Sequence, residues 1–393
     1  MKKTSLTLAL LGAFAGSAFA ADASIYGVVD YGMSYVHWDL GGSAYDTDTF
    51  QMKSGQNSGS RFGIKGSEDL GNGVSVGFVL ENGFNADDGT MDNNSRLFGR
   101  EAQLFVATDY GTLSFGRVGK LISALGSYGV MGNFSVFSGG WGSYTGGKYF
   151  HVADWGRMDN TITYRSPVIA GFQLSAQYSS QADTKEVHGL GTPVENKSST
   201  DRIAQIAMTY GIGDLNILVA GEWNNWSNLP RGANGTETDW REKKDGYNAI
   251  VGVTYDFDVA KIYATGEYSK HMRIKASDNK TITGFAGAFG NFINNTGYID
   301  GSAATLGADI PAFGGVFKVD AGYRFGECVY NNANNYTQWA FGAGYQYNLS
   351  KRTSVYAATS YTKVNMGKVH TEPAVGDNNI AAYEAFAGLV HKF

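Results

Sequence analysis

A single cysteine, Cys328, stands in a chain of 393 residues. That excludes an intramolecular disulfide framework and any multi-cysteine metal site, and leaves a free thiol in an exposed loop as the expectation. Proline is nearly as scarce, at 5, so the 54 glycines do not read as collagen-like or as a proline-rich disordered chain. Charged residues are only 17%, and the formal net charge is −5. Nucleic-acid binding needs clustered Lys and Arg, so no nucleic-acid partner is expected. Long apolar runs are missing as well. No stretch reaches the roughly 18 uninterrupted apolar residues of a membrane-spanning helix, and mean hydropathy is −0.23. If this chain enters a membrane it does so as a closed barrel, because lipid offers no hydrogen-bond partner to an open sheet edge.

What is present points the same way. Tyr and Phe number 24 and 23. Glycine relieves crowding where strands curve, and aromatic rings suit a membrane–water interface. The N-terminus carries Lys2 and Lys3, an apolar core from Leu6 to Phe14, and the A-x-A site Ala18-Phe19-Ala20. The apolar core is too short to span a bilayer, so residues 1–20 are expected to be a cleaved export signal and residues 21–393 the mature barrel. Cleavage would remove two lysines and no acids, taking the charge from −5 to −7.

The rest of the chain alternates. In 61–65, Phe62 and Ile64 share one face, and Arg61, Gly63 and Lys65 the other. After the turn-rich 68–73, Val74, Val76, Phe78 and Leu80 oppose Ser75, Gly77, Val79 and Glu81. This period of 2 is the strand signature, and it recurs at 172–178. Alternation alone fits a soluble sandwich or a membrane barrel. Two further features favour the barrel. Short turns near 68–73, 109–111, 166–171, 212–214, 257–260, 311–315 and 349–352 interleave with long polar stretches near 36–58, 85–94, 119–154, 181–200, 227–244, 273–302, 328–335 and 365–379. Outer-membrane barrels have short periplasmic turns and long external loops. Aromatics also sit at segment ends, as interfacial girdles require: Tyr26, Tyr31, Tyr35, Tyr164, Phe172, Tyr178, Tyr255, Phe257, Tyr345, Tyr347 and Phe393. The expectation is an all-β fold, a 16-stranded antiparallel transmembrane β-barrel in the bacterial outer membrane.

Other classes find little footing. His37, His151, His188, His271, His370 and His391 form no metal-spaced pair, and no G-x-S-x-G occurs, so no enzyme is expected. Gly116-Arg117-Val118-Gly119-Lys120 lacks the spacing and the Ser/Thr of a phosphate loop. The acidic pairs Asp46/Asp48 and Asp87/Asp88 read as solvated loop charge, and neither a cofactor nor a metal is expected.

Several segments stand out: Ser24-Ile25-Tyr26-Gly27-Val28-Val29-Asp30, the hairpin opening Ser60-Arg61-Phe62-Gly63-Ile64-Lys65-Gly66, Leu97-Phe98-Gly99-Arg100-Glu101-Ala102, Tyr110-Gly111-Thr112-Leu113-Ser114-Phe115-Gly116-Arg117, Asn160-Thr161-Ile162-Thr163-Tyr164-Arg165-Ser166-Pro167 and the terminal Gly388-Leu389-Val390-His391-Lys392-Phe393. Together they resemble the Gram-negative general porin family, in particular the trimeric porins of β-proteobacteria. The resemblance implies a homotrimeric channel for passive diffusion of small hydrophilic solutes and inorganic ions. It also implies an inward-folded third loop and an electrostatic constriction of wall arginines at Arg61, Arg100 and Arg157. Phe393 is then the residue that outer-membrane assembly machinery reads, and lipopolysaccharide and outer-membrane lipid are partners. A substrate-specific channel, for example for sugars, and an adhesin or structural barrel are the competing functions.

Period 2 places Arg61 in the lumen with Gly63 and Lys65, and Arg157 with Asp159, Thr161 and Thr163. Arg100 shares parity with Ala102 and Leu104, so a bulge or a strand end must turn it inward. Lys65, Glu81, Arg96 and Arg117 are further lumen candidates, with Lys120, Lys148 and Asp154 on the third loop. That loop departs from the family pattern. Residues 119–153 contain no Asp or Glu, and are rich in Gly and aromatics. Two expectations follow: a mild anion preference, because the arginines lack loop counter-charges, and either a stacking surface for sugars or plain packing of the aromatics on the wall.

Overall fold

Alternating, turn-punctuated sequence becomes one continuous wall. The structure is a computed structural model that describes residues 23–39, 46–138, 140–142, 155–185, 192–229, 244–272, 298–329, 331–366 and 379–393. Its strands are β1 (Ser24–Asp39), β2 (Thr47–Ser54), β3 (Arg61–Gly71), β4 (Val74–Gly83), β5 (Glu101–Thr108), β6 (Gly111–Gly119), β7 (Arg157–Arg165), β8 (Phe172–Ser179) and β9 (Arg202–Ile212). The second half holds β10 (Leu215–Asn225), β11 (Gly246–Asp256), β12 (Lys261–Met272), β13 (Ile299–Ala312), β14 (Gly315–Cys328), β15 (Asn331–Asn348), β16 (Thr353–Met366) and β17 (Asn379–Lys392). All pairings are antiparallel and, apart from β2 and β3, which both pair with β1, they join sequence neighbours; β17 pairs with β1 to close the sheet. β2 and β3 lie against the upper and lower parts of β1, from Tyr31↔Ser54 to Trp38↔Thr47 and from Ser24↔Lys65 to Val28↔Arg61. They form one stave bent at 55–60, so the seventeen segments make a barrel of 16 staves.

The barrel is apolar outside. In β11, Tyr247, Ala249, Val251, Val253 and Tyr255 are exposed, while Asn248, Ile250, Gly252 and Thr254 are buried. Elsewhere Ile206, Val219, Leu306 and Phe341 lie bare on the exterior, and Gln177, Gln205, Glu222 and Gln338 are buried within. In water such an exterior would forfeit about 25 cal/mol per Å² of apolar surface; against hydrocarbon it forfeits nothing. Aromatic pairs mark both rims. At the turn end are Phe172–Tyr210, Tyr255–Phe257 and Phe317–Tyr345, with ring centroids 4.3, 4.4 and 4.5 Å apart. At the loop end a ladder runs Trp339–Tyr361–Tyr383–His37, at 5.0, 4.6 and 6.1 Å.

The seven short connections fall where expected, including Asn72-Gly73, Asp109-Tyr110 and Phe313-Gly314. Positive φ at Asn72 (53°), Gly73 (73°), Phe313 (52°) and Gly314 (77°) is what such tight turns demand. Three details differ from expectation. Much of 36–58 is β-structure rather than loop, because β1 runs to Asp39 and β2 continues the wall upward. The stretch 328–335 is not a long loop either: β14 ends at Cys328 and β15 starts at Asn331, so Cys328 terminates a strand. Tyr26 is not a girdle residue. It shares inward parity with Val28 and Asp30, and its hydroxyl donates to Glu81 Oε2 at 2.9 Å in the lumen. Residues 1–20, the expected export signal, lie outside the described residues.

Closure is tight at Phe393. Gly27 N donates to Phe393 O at 3.0 Å, and Phe393 N donates to Gly27 O at 3.1 Å. The Phe393 ring lies on the Cα of Gly27, where a Cβ would overlap it.

Candidate functional site: a charged lumen crossed by the third loop

The loop after β6 turns into the barrel, and its described residues pack there. Leu121, Ile122, Met131 and Phe134 pack with Leu218, Ala220, Ile250 and Met272 of the wall. Further on, Val136, Phe137 and Trp141 pack with Tyr263, Tyr356 and Phe386 on the other side of the barrel. The wall is shaped for this. Phe134 would be 3.0 Å from a Cβ at Gly252, and Val136 would overlap one at Gly307. Polar tethers add direction. Lys120 Nζ lies 3.5 Å from Glu222 Oε2, and the Leu121 amide donates to Gln205 Oε1 at 2.7 Å. Lys318 Nζ reaches Asp309 at 2.8 Å and donates to the Val136 carbonyl at 3.1 Å. Arg165 donates to the Ser127 and Tyr128 carbonyls at 3.0 and 2.8 Å, with its guanidinium 4.9 Å from the Tyr128 ring centre. Burial raises the Tyr128 phenol above its ordinary pKa, so the ring remains a neutral platform.

The described loop aromatics Tyr128, Phe134, Phe137, Trp141 and Trp155 are all buried, so they serve packing and leave no stacking face for a sugar. Tyr144, Tyr149 and Phe150, like Lys148 and Asp154, fall outside the described residues.

Beside this crossing sits a cluster of charge. Glu81 on β4 faces Gly63 of β3, which puts its carboxylate next to the Arg61 side chain. Arg61 Nε is 3.7 Å from Glu81 Oε2, and Arg61 also donates to Ser58 Oγ and the Gly59 carbonyl at 3.2 and 3.0 Å. Arg100 donates from Nε to Glu81 Oε1 at 2.6 Å. It lies just ahead of β5, so the strand end turns it inward against its parity. Arg157 donates to Asn93 Oδ1 at 3.1 Å. Glu101, inward with Gln103, accepts from the Ser127 amide and hydroxyl at 2.6 and 2.8 Å and so ties the third loop to this wall. The structure thus brings Arg61, Arg100, Arg157 and Glu81 to one side of the lumen.

A second knot adjoins the first. Asp159 accepts from Arg117 at 2.6 Å, from Arg96 at 3.0 Å, and from the Thr184 amide and hydroxyl at 2.8 and 2.7 Å. Arg96 also reaches Asp183 at 2.7 Å. These bonds join the second loop, β6, β7 and the fourth loop. Lys65 lies lower, its Nζ 5.2 Å from the Tyr26 ring centre. Lys120, one of the sequence candidates, is buried at the loop root rather than lining open lumen.

Sequence reasoning overlooked Glu101, Asp183, Asn93 and Tyr26. Glu101 was findable, because it alternates inward with Gln103, and Tyr26 shares parity with Asp30. Asp183 and Asn93 sit in loops, where no period marks a side. The counter-charges missing from the third loop are supplied by the wall itself. Among the described residues, no group of three His, Cys, Asp or Glu side chains is arranged to hold a metal; Asp88 instead accepts from Thr90, and Asp48 from Tyr35.

A closed barrel with an apolar girdled exterior and a charged lumen crossed by a loop defines an outer-membrane channel. The model of Gram-negative porins matches residues 7–367. An outer membrane porin protein of Bordetella pertussis is 32% identical over 384 residues, covering 92% of this chain and 94% of that one. Among solved structures, an anion-selective porin from Comamonas acidovorans superposes with a TM-score of 0.64 at 21% identity, covering 95% of this chain and all of that one. A trimer form of OmpT from Vibrio cholerae gives 0.58 at 15% identity, covering 95% of this chain and all of that one. The chain belongs to the Gram-negative porin family, and its place is the outer membrane.

Proposed function

We propose that the protein is a homotrimer of water-filled channels for passive diffusion of small hydrophilic solutes and ions, with a mild anion preference set by Arg61, Arg100 and Arg157. One observation carries the preference. Where the third loop is tied to the wall, these three guanidiniums face two carboxylates, Glu81 and Glu101, which leaves one net positive charge. Low-dielectric walls focus the field of such fixed charges on passing ions. Lys65 and Arg165 extend the positive lining toward the turn end. The anion-selective porin from Comamonas acidovorans and the OmpT trimer lend support by likeness of fold.

In this reading residues 1–20 are removed on export, residues 21–393 form the barrel, and assembly machinery reads Phe393. Lipid and lipopolysaccharide cover the exterior, and the protein acts as a channel rather than an enzyme. Single-channel recording of the purified protein tests it. Three equal closing steps per insertion event, and conductance that rises linearly with salt, are expected. A single step, or a conductance that saturates at low solute concentration, would refute the trimer or the passive channel respectively.

A further inference from the structure

The outward face from β7 to β12 is recessed rather than evenly convex. Its floor is built of small residues in register. Ala204 on β9 pairs with Trp223 on β10, which pairs with Tyr247 on β11. One step lower, Ile206 pairs with Gly221, then Ala249, then Tyr268. Tall rings therefore stand around Ala204, Gly221 and Ala249 and border an open apolar groove of about 780 Å³. The groove starts at the long-loop end of the wall and runs toward its middle.

Charge crowns its upper end. Arg202 shares outward parity with Ala204, pairs with Asn225 in register, and donates from its guanidinium to the Asn225 side-chain oxygen Oδ1. Its Nε is buried without a partner. Lys270, opposite Tyr247, is exposed on the same face. Asp245 lies in the same crown and accepts from Trp223 Nε1 at 3.1 Å and from Asn225 Nδ2 at 2.8 Å. Among the described residues the crown thus sets two cations beside an acid that already has two donors.

We propose that this groove seats an acyl chain of lipopolysaccharide, with a lipid phosphate against Arg202 and Lys270. The inference rests on the outer-membrane reading above, since long loops face outward and this end then meets the outer leaflet. The shape selects the occupant. A second barrel offers a convex wall that cannot fill a recess between rings, whereas a flexible hydrocarbon chain can. The charge selects the headgroup, because Arg202 and Lys270 stand beside an acid, Asp245, that already has two donors, and an anionic lipid phosphate matches that surplus of positive charge.

The test titrates purified lipopolysaccharide onto detergent-refolded protein and counts bound lipid by native mass spectrometry. Gly221→Leu fills the groove without disturbing the wall, because a Cβ there has its nearest neighbours at 3.7 and 3.9 Å. Excluding two methylenes from a groove weakens binding about tenfold, and that loss is expected for Gly221→Leu. Arg202→Ala is expected to weaken the phosphorylated lipid and leave a dephosphorylated preparation unaffected. Equal binding by wild type and Gly221→Leu overturns the proposal. So does a change of oligomeric state in Gly221→Leu with unchanged lipid count, which would make the groove a contact between copies. Ion conductance of the same samples in planar bilayers reports the channel separately, so loss of conductance indicts that reading and loss of lipid binding this one.

Discussion

At the scale of single residues, Glu81 is the hinge of the ion preference. It takes both Arg61 and Arg100, at 3.7 and 2.6 Å, and receives the Tyr26 hydroxyl as well. Glu81→Gln leaves two guanidiniums without their shared carboxylate. One unit charge at about 10 Å in water is worth about 0.4 kcal/mol, about twofold in ion partition. Because the change favours anions and disfavours cations by that factor alike, Glu81→Gln is expected to raise the anion-to-cation permeability ratio about fourfold in a bi-ionic potential measurement, and Arg100→Gln to lower it by a similar factor. Asp159→Asn tests a structural role instead. Its carboxylate pairs with both Arg96 and Arg117, and removing one partner from such a buried set costs about 3–5 kcal/mol. A clear drop in the thermal unfolding temperature in detergent is expected. The sequence made Arg61 and Arg157 legible, because parity alone puts them in the lumen. Arg100 is legible through the family resemblance, against its parity and with a strand end to turn it inward; Asn93 stays hidden, because it sits on a loop that alternation does not describe.

At the scale of elements, the third loop is held as a core is held. Phe137 is fully buried, with Trp141 at 5.3 Å, and Trp141 rests on Tyr356 at 5.5 Å. Phe137→Ala removes about 3–5 kcal/mol of packing from that seat. Current noise and mean conductance should both rise in single-channel records, while the barrel itself keeps its heat-resistant mobility on gels. Gly307→Val is expected to displace the loop as well, since a side chain there meets Val136, but it also meets the Val319 carbonyl of the wall and so should lower the heat resistance of the barrel too. The strands and turns were readable from period 2 and from turn residues at nearly every hairpin. The loop's course was not. Its aromatics announce burial, but only the glycines of distant strands, Gly252 and Gly307, show where they land, and those are scattered along the chain. The bend at 55–60 was hidden too. It is fixed by Asp30, whose carboxylate accepts from the Asn57 and Ser58 amides at 2.7 Å each and from the Tyr356 hydroxyl at 2.6 Å.

At the scale of the molecule, closure and conduction are separate properties. Closure runs along the β1–β17 ladder from Val28↔Lys392 to Asp39↔Ala381, and Phe393 ends it with two backbone bonds to Gly27 and a ring lying on it. Deleting Phe393 should lower the yield of heat-modifiable barrel on refolding into detergent, where no assembly machinery is present. A normal yield there would confine the role of Phe393 to recognition in the cell. Conduction depends on the charged side of the lumen. The zero-current potential across a planar bilayer in a tenfold KCl gradient, taken for the wild type and for the Arg61→Glu, Arg157→Glu double variant, tests that most directly. An anion-selective sign for the wild type and a cation-selective sign for the double variant are predicted. A wild type already selective for cations, or a double variant with an unchanged potential, would contradict the assignment of the preference to these arginines.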